Sequence, residues 1–320
     1  MTTAPTAYGP MDDTPAPLSL TAQQRRSFDE DGFFLLEDAL SPTEVAALLH
    51  VVDERYAGYR SARDLGDEAF QMRNIVALDP LFLRLVDHPR ILPLIVDLMG
   101  FNVQLRTSHA DVRPPQPPAD AAAELGAPGS FFPWHSDAPQ WGWPRVAGLI
   151  PFMEMKVGYY LTDLSTPNSG EICVVRGSHL STQPTDAEGQ RPIDAADIVS
   201  VNVRPGTALI WRTQLLHALR PNLSTQARRC LYYGYHPRWI RPSDFHQQQP
   251  DVLARCSPVQ RQLLGELGTG QSNYDGDDPD VQPVSRYWRP QDDDIPLKAW
   301  AQDLRQSQQQ LQEQTPPSTS

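Results

Sequence analysis

After Gly100 the chain becomes a succession of short runs rich in Val, Ile, Tyr and Trp. They fall at 102–109, 131–135, 156–162, 171–175, 199–203, 207–212 and 228–236, each bounded by Pro, Gly or Asn. Strands this short bury their apolar faces only by pairing into a β-sandwich or closing into a barrel. The 32 Pro among 320 residues agree, because Pro suits turns and breaks helices. Helical signals lie ahead of this region. A short polar helix is expected from Ser19 to Glu30, then Asp31-Gly32 and a strand, Phe33–Leu36. Ser41-Pro42-Thr43-Glu44 reads as a helix start, with Ser as N-cap, Pro at the first position and Glu closing a capping box. That helix should run through Val45, Leu48, Leu49 and Val52 to about Tyr56. Residues 79–99 read as one or two helices, broken at His88-Pro89 and ended by Gly100. His50, His88, His236 and His246 are expected at the surface. The fold class that results is mainly β with flanking helices (α+β).

The pattern predicts a disordered 1–18, one domain over 19–268 and a polar extension and tail over 269–320. The Pro- and Ala-rich segment 113–130 is lid-like in position, and a plain surface loop serves equally well. Net charge is −12 with scattered basic residues, which disfavours a nucleic-acid groove or an anionic membrane surface. The partner expected is a small molecule. Neither a signal-peptide core nor a membrane-length apolar run occurs, so a soluble, cytoplasmic monomer or homodimer is the expectation. Only Lys156 and Lys298 are lysines, which reads as a matter of composition. Cys173, Cys230 and Cys256 lack disulfide or zinc spacing and are read as reduced thiols.

The chemistry sits in Phe131-Phe-Pro-Trp-His135-Ser-Asp137 and Leu215-Leu-His217. Residues two apart on an extended strand share a face, so His135 and Asp137 offer an imidazole and a carboxylate side by side. One more imidazole completes a 2-His-1-carboxylate triad, which holds Fe(II) and leaves positions open for oxygen and a co-substrate. The triplet alone is short and occurs twice, as His135/Asp137 and as His109/Asp111. His217, just beyond the strand 207–211, is the candidate third ligand. The turn Pro221–Thr225 should return the chain as a hairpin, placing Arg228 beside His217. A guanidinium there suits the far carboxylate of a dicarboxylate co-substrate. Gln104, Arg106 and Ser108 share one strand face, and Gln104 is the candidate for a second co-substrate contact. Trp141, Trp143 and Met153 follow the metal motif and could wall a substrate pocket.

Four stretches together resemble the phytanoyl-CoA dioxygenase family of Fe(II)/2-oxoglutarate oxygenases. They are Phe28–Phe33 with the Ser41–Glu44 helix start, His135-x-Asp137, Asn168-Ser-Gly170 through Gly177-Ser-His179, and His217 through Asn222 to Arg228. The resemblance covers about residues 28 to 236. It implies a double-stranded β-helix (jelly roll, cupin-like), selects His135/Asp137 over His109/Asp111 as the metal pair, and gives Arg228 the co-substrate. By the same resemblance Tyr159 lies near the oxoglutarate and His179 is structural. The domain 19–268 would then be catalytic, with Fe(II) as metal and 2-oxoglutarate and O2 as co-substrates. Hydroxylation of an unactivated C–H in a small metabolite or natural-product intermediate is the implied outcome, with succinate and CO2 as co-products. Desaturation, epoxidation or cyclisation would use the same residues. Asp137 argues against halogenation, which needs a small residue in its place. A cupin-type isomerase or binding protein would leave Arg228 without a role, and a purely structural barrel would leave the His/Asp/His order without one.

Overall fold

A computed structural model describes residues 20–64, 69–117, 125–126, 133–137, 146–181, 193–266 and 284. The expectations for 1–18, for most of 113–130, for the tail from 269, and for Trp141 and Trp143 lie outside the described residues. Two short helical turns open the fold, α1 (Ala22–Arg26) capped by Thr21 and a wider turn over Ser27–Asp31 that ends at Gly32 in the left-handed region. β1 (Phe33–Leu36) follows. α2 (Pro42–Arg63) starts as the capping box dictates: the Ser41 hydroxyl accepts the Glu44 N–H, and the Glu44 carboxylate accepts the Ser41 N–H at 2.8 Å. It continues seven residues past the expected end at Tyr56. No Gly-Pro signal stops it there, and Arg60 and Arg63 lie over the Tyr56 and Tyr59 rings at 5.3 and 3.6 Å. β2 (Phe70–Arg73) was not legible as a strand; Phe70 stacks on Tyr56 and so ties it to α2. α3 (Pro80–Arg84) and α4 (Leu92–Met99) then flank the expected break at His88-Pro89.

The β region comprises β3 (Val103–Arg113), β4 (Met155–Tyr160), β5 (Ile172–Val175), β6 (Ile198–Ser200), β7 (Ala208–Arg212), β8 (His217–Leu219) and β9 (Arg228–Pro237). Among the described residues, 131–135 contributes only a single bridge, His135 to His217. Two short helices, α5 (Pro250–Leu253) and α6 (Pro258–Leu263), close the described part of the chain. The strands form a six-stranded sheet, β1-β7-β4-β9-β3-β2, facing a three-stranded sheet, β6-β5-β8, with every pairing antiparallel. This is the jelly-roll arrangement that the strand spacing and the resemblance implied.

Because side chains alternate along a strand, the large sheet serves two cores. Met155, Val157, Tyr159, Ala208, Ile210, Leu231, Tyr233 and Tyr235 pack under the helices with Phe82, Val86, Leu92 and Ile95. Tyr160, Leu209, Trp211, Cys230 and Tyr232 face the small sheet and pack on Ile172, Val174 and Leu215. Each fully buried Leu, Val or Phe adds about 1.5–3 kcal/mol, so both faces are strongly held in register. His88 and His236, expected at the surface, are buried instead. His88 Nε2 meets Glu44 Oε1 at 3.3 Å, and His236 is covered at the far end of β9.

The expected hairpin between His217 and Arg228 does not form. β8 pairs with β5 and β9 with β3 and β4, so the two residues sit on opposite sheets. The connecting turn crosses between sheets because Asn222 Nδ2 donates to the carbonyls of Arg113 (3.0 Å) and Gln226 (2.8 Å). Gly206 fixes another junction: its φ is 89°, its carbonyl accepts the Leu40 N–H at 2.9 Å, and an added Cβ would stand 2.6 Å from the Leu40 oxygen. Gly206→Ala should therefore destabilise the fold by about 2 kcal/mol or more, from left-handed strain plus that overlap. Urea unfolding measures this; a loss below about 0.5 kcal/mol would show that the junction yields.

Candidate metal centre

His217 opens β8, and its peptide exchanges two hydrogen bonds with that of His135 (N–O 2.9 and 3.1 Å). That bridge sets the two imidazoles at a ring separation of 4.2 Å. Each ring is oriented by a nearby backbone carbonyl: His135 Nδ1 lies 2.8 Å from the Pro133 oxygen, and His217 Nδ1 lies 3.0 Å from that of Leu215. With Nδ1–H donated to a carbonyl, the lone pair belongs to Nε2. Both Nε2 atoms turn toward Asp137, His217 at 3.5 Å from Oδ2 and His135 at 4.0 Å from Oδ1. One ligand atom from each of the three lies within 4.8 Å of the others. Among the described residues no other group of three His, Cys, Asp or Glu side chains meets that condition.

The donor set fits a divalent transition ion. Burial pushes the His217 imidazole down to about 4, so it offers a lone pair at neutral pH. Burial opposes charge on Asp137, but Lys156, His217 and His135 outweigh it and hold the carboxyl well below the usual range. The His217 imidazole and the Asp137 carboxylate are thus preformed as ligands without a change of protonation.

The triad opens on a cavity of about 280 Å³ whose lining includes His109, Asp111, Lys156, Trp211 and Tyr232, with Gln71 and Arg73 from β2. Arg228 stands behind Tyr232, fully buried. Its Nη2 donates to the Tyr232 hydroxyl, and its Nη1 lies 3.4 Å from Asp111 Oδ2. Asp111 Oδ1 is also 2.9 Å from Arg113 Nε, so one carboxylate stands between two guanidiniums. Arg228 Nε makes no hydrogen bond among the described residues, and Nη1 has only the long ion pair to Asp111, so this buried guanidinium keeps donors for a further anion. Gly170 (φ 83°) covers this guanidinium; a Cβ there would meet Arg228 Cδ at 3.0 Å.

The other residues singled out from the sequence fall elsewhere. Tyr159 points to the opposite face of β4, where its hydroxyl donates to the Leu85 carbonyl at 3.3 Å and its ring packs on Tyr233. It is a core residue, and Tyr160, one position on, is the side chain that faces Tyr232 and Arg228. Gln104 sits near the start of β3, far along the strand from Asp111, and donates to the Ile240 carbonyl at 2.5 Å. Ser108 faces the helical core, its hydroxyl accepting the Val76 N–H, and Arg106 pairs with Glu154 at 2.6 Å. Met153 is half-buried ahead of β4 and is not part of the cavity wall. His179 Nε2 meets the Asp29 carbonyl at 3.0 Å and its ring lies over Gly32, joining the first turns to the barrel.

Sequence reasoning missed Lys156, whose Nζ lies 2.8 Å from Asp137 Oδ2. The available signal was period two: Lys156 interrupts an otherwise uncharged strand, 155–160, on the face shared with Gly158 and Tyr160. It also missed that His109 and Asp111, the rejected H-x-D pair, line the same cavity from β3.

Burial holds His109 well below its ordinary value and brings His217 and His236 down to about 4. An imidazole whose folded-state pKa lies below the unfolded one binds its proton more readily when unfolded. Its stabilisation is complete above about pH 6.5 and is lost as pH falls toward 4. Glu154, pushed up to about 7 by burial, has the opposite sign and offsets roughly one of the three between pH 7 and 5. The metal-free protein should therefore be less stable at pH 5 than at pH 7 by a few kcal/mol, on the scale of roughly 1.4 kcal/mol per pH unit for each imidazole not offset by an acid. Urea unfolding at the two pH values checks it; equal stability at both would contradict three buried neutral imidazoles.

The family model described as Phytanoyl-CoA dioxygenase (PhyH) matches residues 28–230. The ectoine dioxygenase of Bordetella parapertussis is 32% identical over 184 residues, and that match spans 55% of this chain and 54% of the relative, about half its length. The ectoine dioxygenase of Sphingopyxis alaskensis is 26% identical over 278 residues, covering 75% of this chain and 84% of the relative. Among solved structures, HygX from Streptomyces hygroscopicus with nickel and 2-oxoglutarate bound superimposes with a TM-score of 0.56 at 20% identity, over 73% of this chain and 94% of its own. EctD from S. alaskensis in its apoform gives 0.54 at 24% identity, over 78% and 88%. At such identities the structural likeness speaks for the fold alone.

Proposed function

Since the chain belongs to the phytanoyl-CoA dioxygenase family, we propose that it is an Fe(II)- and 2-oxoglutarate-dependent dioxygenase that hydroxylates an unactivated C–H of a small metabolite or natural-product intermediate, with succinate and CO2 as co-products. The observation that carries this reading is the convergence of His135, Asp137 and His217 on one cavity with Arg228 buried behind it. Two relatives support it, the ectoine dioxygenase of Sphingopyxis alaskensis and HygX, whose structure holds nickel and 2-oxoglutarate.

In this reading His135, Asp137 and His217 would hold the iron. Bound there, the ion supplies oxygen activation coupled to decarboxylation of the co-substrate. Arg228 would receive the far carboxylate with its remaining N–H donors, and Tyr232, whose hydroxyl accepts from Nη2, fixes the guanidinium behind the cavity wall. Asp111 keeps that guanidinium charged and, itself held by Arg113, placed before the co-substrate arrives. Trp211, Ile172 and Leu219 supply the apolar wall that limits water near the reacting atoms. Asp137 as carboxylate ligand favours oxygen insertion over halogenation.

The test is anaerobic addition of Fe(II) and 2-oxoglutarate, expected to develop a visible metal-to-ligand charge-transfer band. Admission of oxygen with a metabolite extract should then yield succinate and a product heavier by one oxygen. A product lighter by two hydrogens would assign desaturation or cyclisation to the same residues. The solved neighbours include an α-ketoglutarate-dependent epimerase, SnoN, and a carbocyclase, SnoK, both from nogalamycin biosynthesis. Absence of both the band and succinate would refute the reading.

A further inference from the structure

Lys156 carries a charge that the proposed chemistry leaves over. A divalent ion, the Asp137 carboxylate, doubly charged oxoglutarate and the Arg113–Asp111–Arg228 cluster, with its single net positive charge, together sum to zero. Buried charges demand such compensation, because desolvation penalises any that remain unpaired. Lys156 stands outside the sum: it is buried, it lines the same cavity, and among the described residues its Nζ reaches only a carboxylate already committed as a metal ligand. The other acid on its side of β4, Glu154, is taken by Arg106 at 2.6 Å. His109, held neutral by burial, supplies no anion. At the rim Arg73 adds a second cation, which donates to Gln71 Oε1 at 2.9 Å and has no carboxylate partner among the described residues. Counted over the described residues, the cavity of a chain with net charge −12 is thus positive once metal and co-substrate are in place.

We infer that the acceptor substrate is an acid, whose carboxylate meets Arg73 at the rim and is received inside the cavity by Lys156. The inference rests on the function proposed above, and it narrows the substrate class without naming a compound. As an ion draws on the Asp137 charge, Lys156 becomes the ammonium without an anion, and an incoming carboxylate restores the balance next to the metal. A neutral substrate of the same shape would leave that ammonium desolvated and unpaired.

Matched acids and amides test it: hexanoate and hexanamide, benzoate and benzamide, N-acetylleucine and its amide. Calorimetric titration into the full chain, loaded anaerobically with Fe(II) and 2-oxoglutarate, should find an acid bound roughly tenfold or more tightly than its amide, the scale of a charge-assisted contact. Lys156→Met should reduce that ratio to within about threefold, and Lys156→Arg should keep it. Because Lys156 touches Asp137, the charge-transfer band is recorded for each variant to show whether the metal centre survives. Arg73→Gln touches no metal ligand and should weaken the acid about threefold or more while leaving the amide unchanged. Amides binding as well as acids, no acid binding at all, or an acid preference that survives both Lys156→Met and Arg73→Gln would overturn the inference. A missing band in the unaltered protein would instead refute the oxygenase reading, while the acid-to-amide ratio, measured on the same sample, stands or falls separately.

Discussion

His217→Ala should weaken Fe(II) binding by more than about 100-fold, the largest single effect expected in this protein. Losing an oriented second-sphere partner typically costs 10- to 100-fold in metal affinity, and His217 is itself a ligand candidate. Its Nε2 is presented at 3.5 Å from Asp137 Oδ2 by a ring already fixed through Nδ1 to the Leu215 carbonyl. Alanine leaves one imidazole and one carboxylate, too few donors to outcompete water for a ferrous ion. The backbone bonds to His135 remain, so the fold should persist, and removal of a buried neutral imidazole should also flatten the acid-side loss of stability. Anaerobic Fe(II) titration with 2-oxoglutarate present reads the affinity, and urea unfolding reads the fold. Iron affinity within threefold of the parent would remove His217 from the centre.

Arg228→Ala is expected to act twice. Truncating it leaves Asp111 with Arg113 alone inside the barrel, and breaking a buried ion pair of this kind costs about 3–5 kcal/mol. The same change removes the guanidinium assigned to the far end of oxoglutarate, which should weaken co-substrate affinity by more than about tenfold. The two effects separate in Arg228→Met/Asp111→Asn. Removing both charges should restore only part of the stability, because the desolvated carboxylate goes with Arg228 while Arg113 loses its own partner, and oxoglutarate affinity should stay low. Urea unfolding and the charge-transfer titration give the two readouts. Recovery of oxoglutarate affinity in the double variant would show that Arg228 only neutralises Asp111.

How far the molecule was legible follows from which signals are local. Capping at Ser41, the break at His88-Pro89 and the turn at Arg204-Pro-Gly206 are written in adjacent residues, and the helices and most strands lie where those residues put them. α2 outran its expected end because Arg–Tyr stacking one turn apart carries no stop signal. The strand β2 has four residues and gains its place only from α2 and β3, so its sequence shows little. For the candidate centre, the alternation rule put His135 and Asp137 together, and the order of motifs brought in His217. Sheet membership defeated the rest. Tyr159 and Tyr160 differ by one position and therefore by a whole face, and only the register of β4 against β9 decides which of them meets the cavity. Arg228 was placed correctly in order and wrongly in topology, because a Pro-Asn turn reads the same whether the chain returns within a sheet or crosses to the other. Lys156 was discounted by counting lysines, where its strand partners would have marked it.

The reciprocal peptide bonds between His135 and His217 make the bite of the centre a property of main chain rather than of intervening sequence. Some eighty residues separate the two imidazoles, yet their spacing depends on a single antiparallel bridge. Insertions or deletions in the loops of that span, beyond Asp137 and outside β4, β5 and β7, can therefore accumulate without altering the grip on the ion, provided the bridge closes. A lineage can in this way remodel what the barrel admits while inheriting its ligand geometry unchanged, and a protein engineer grafting new segments has the same licence.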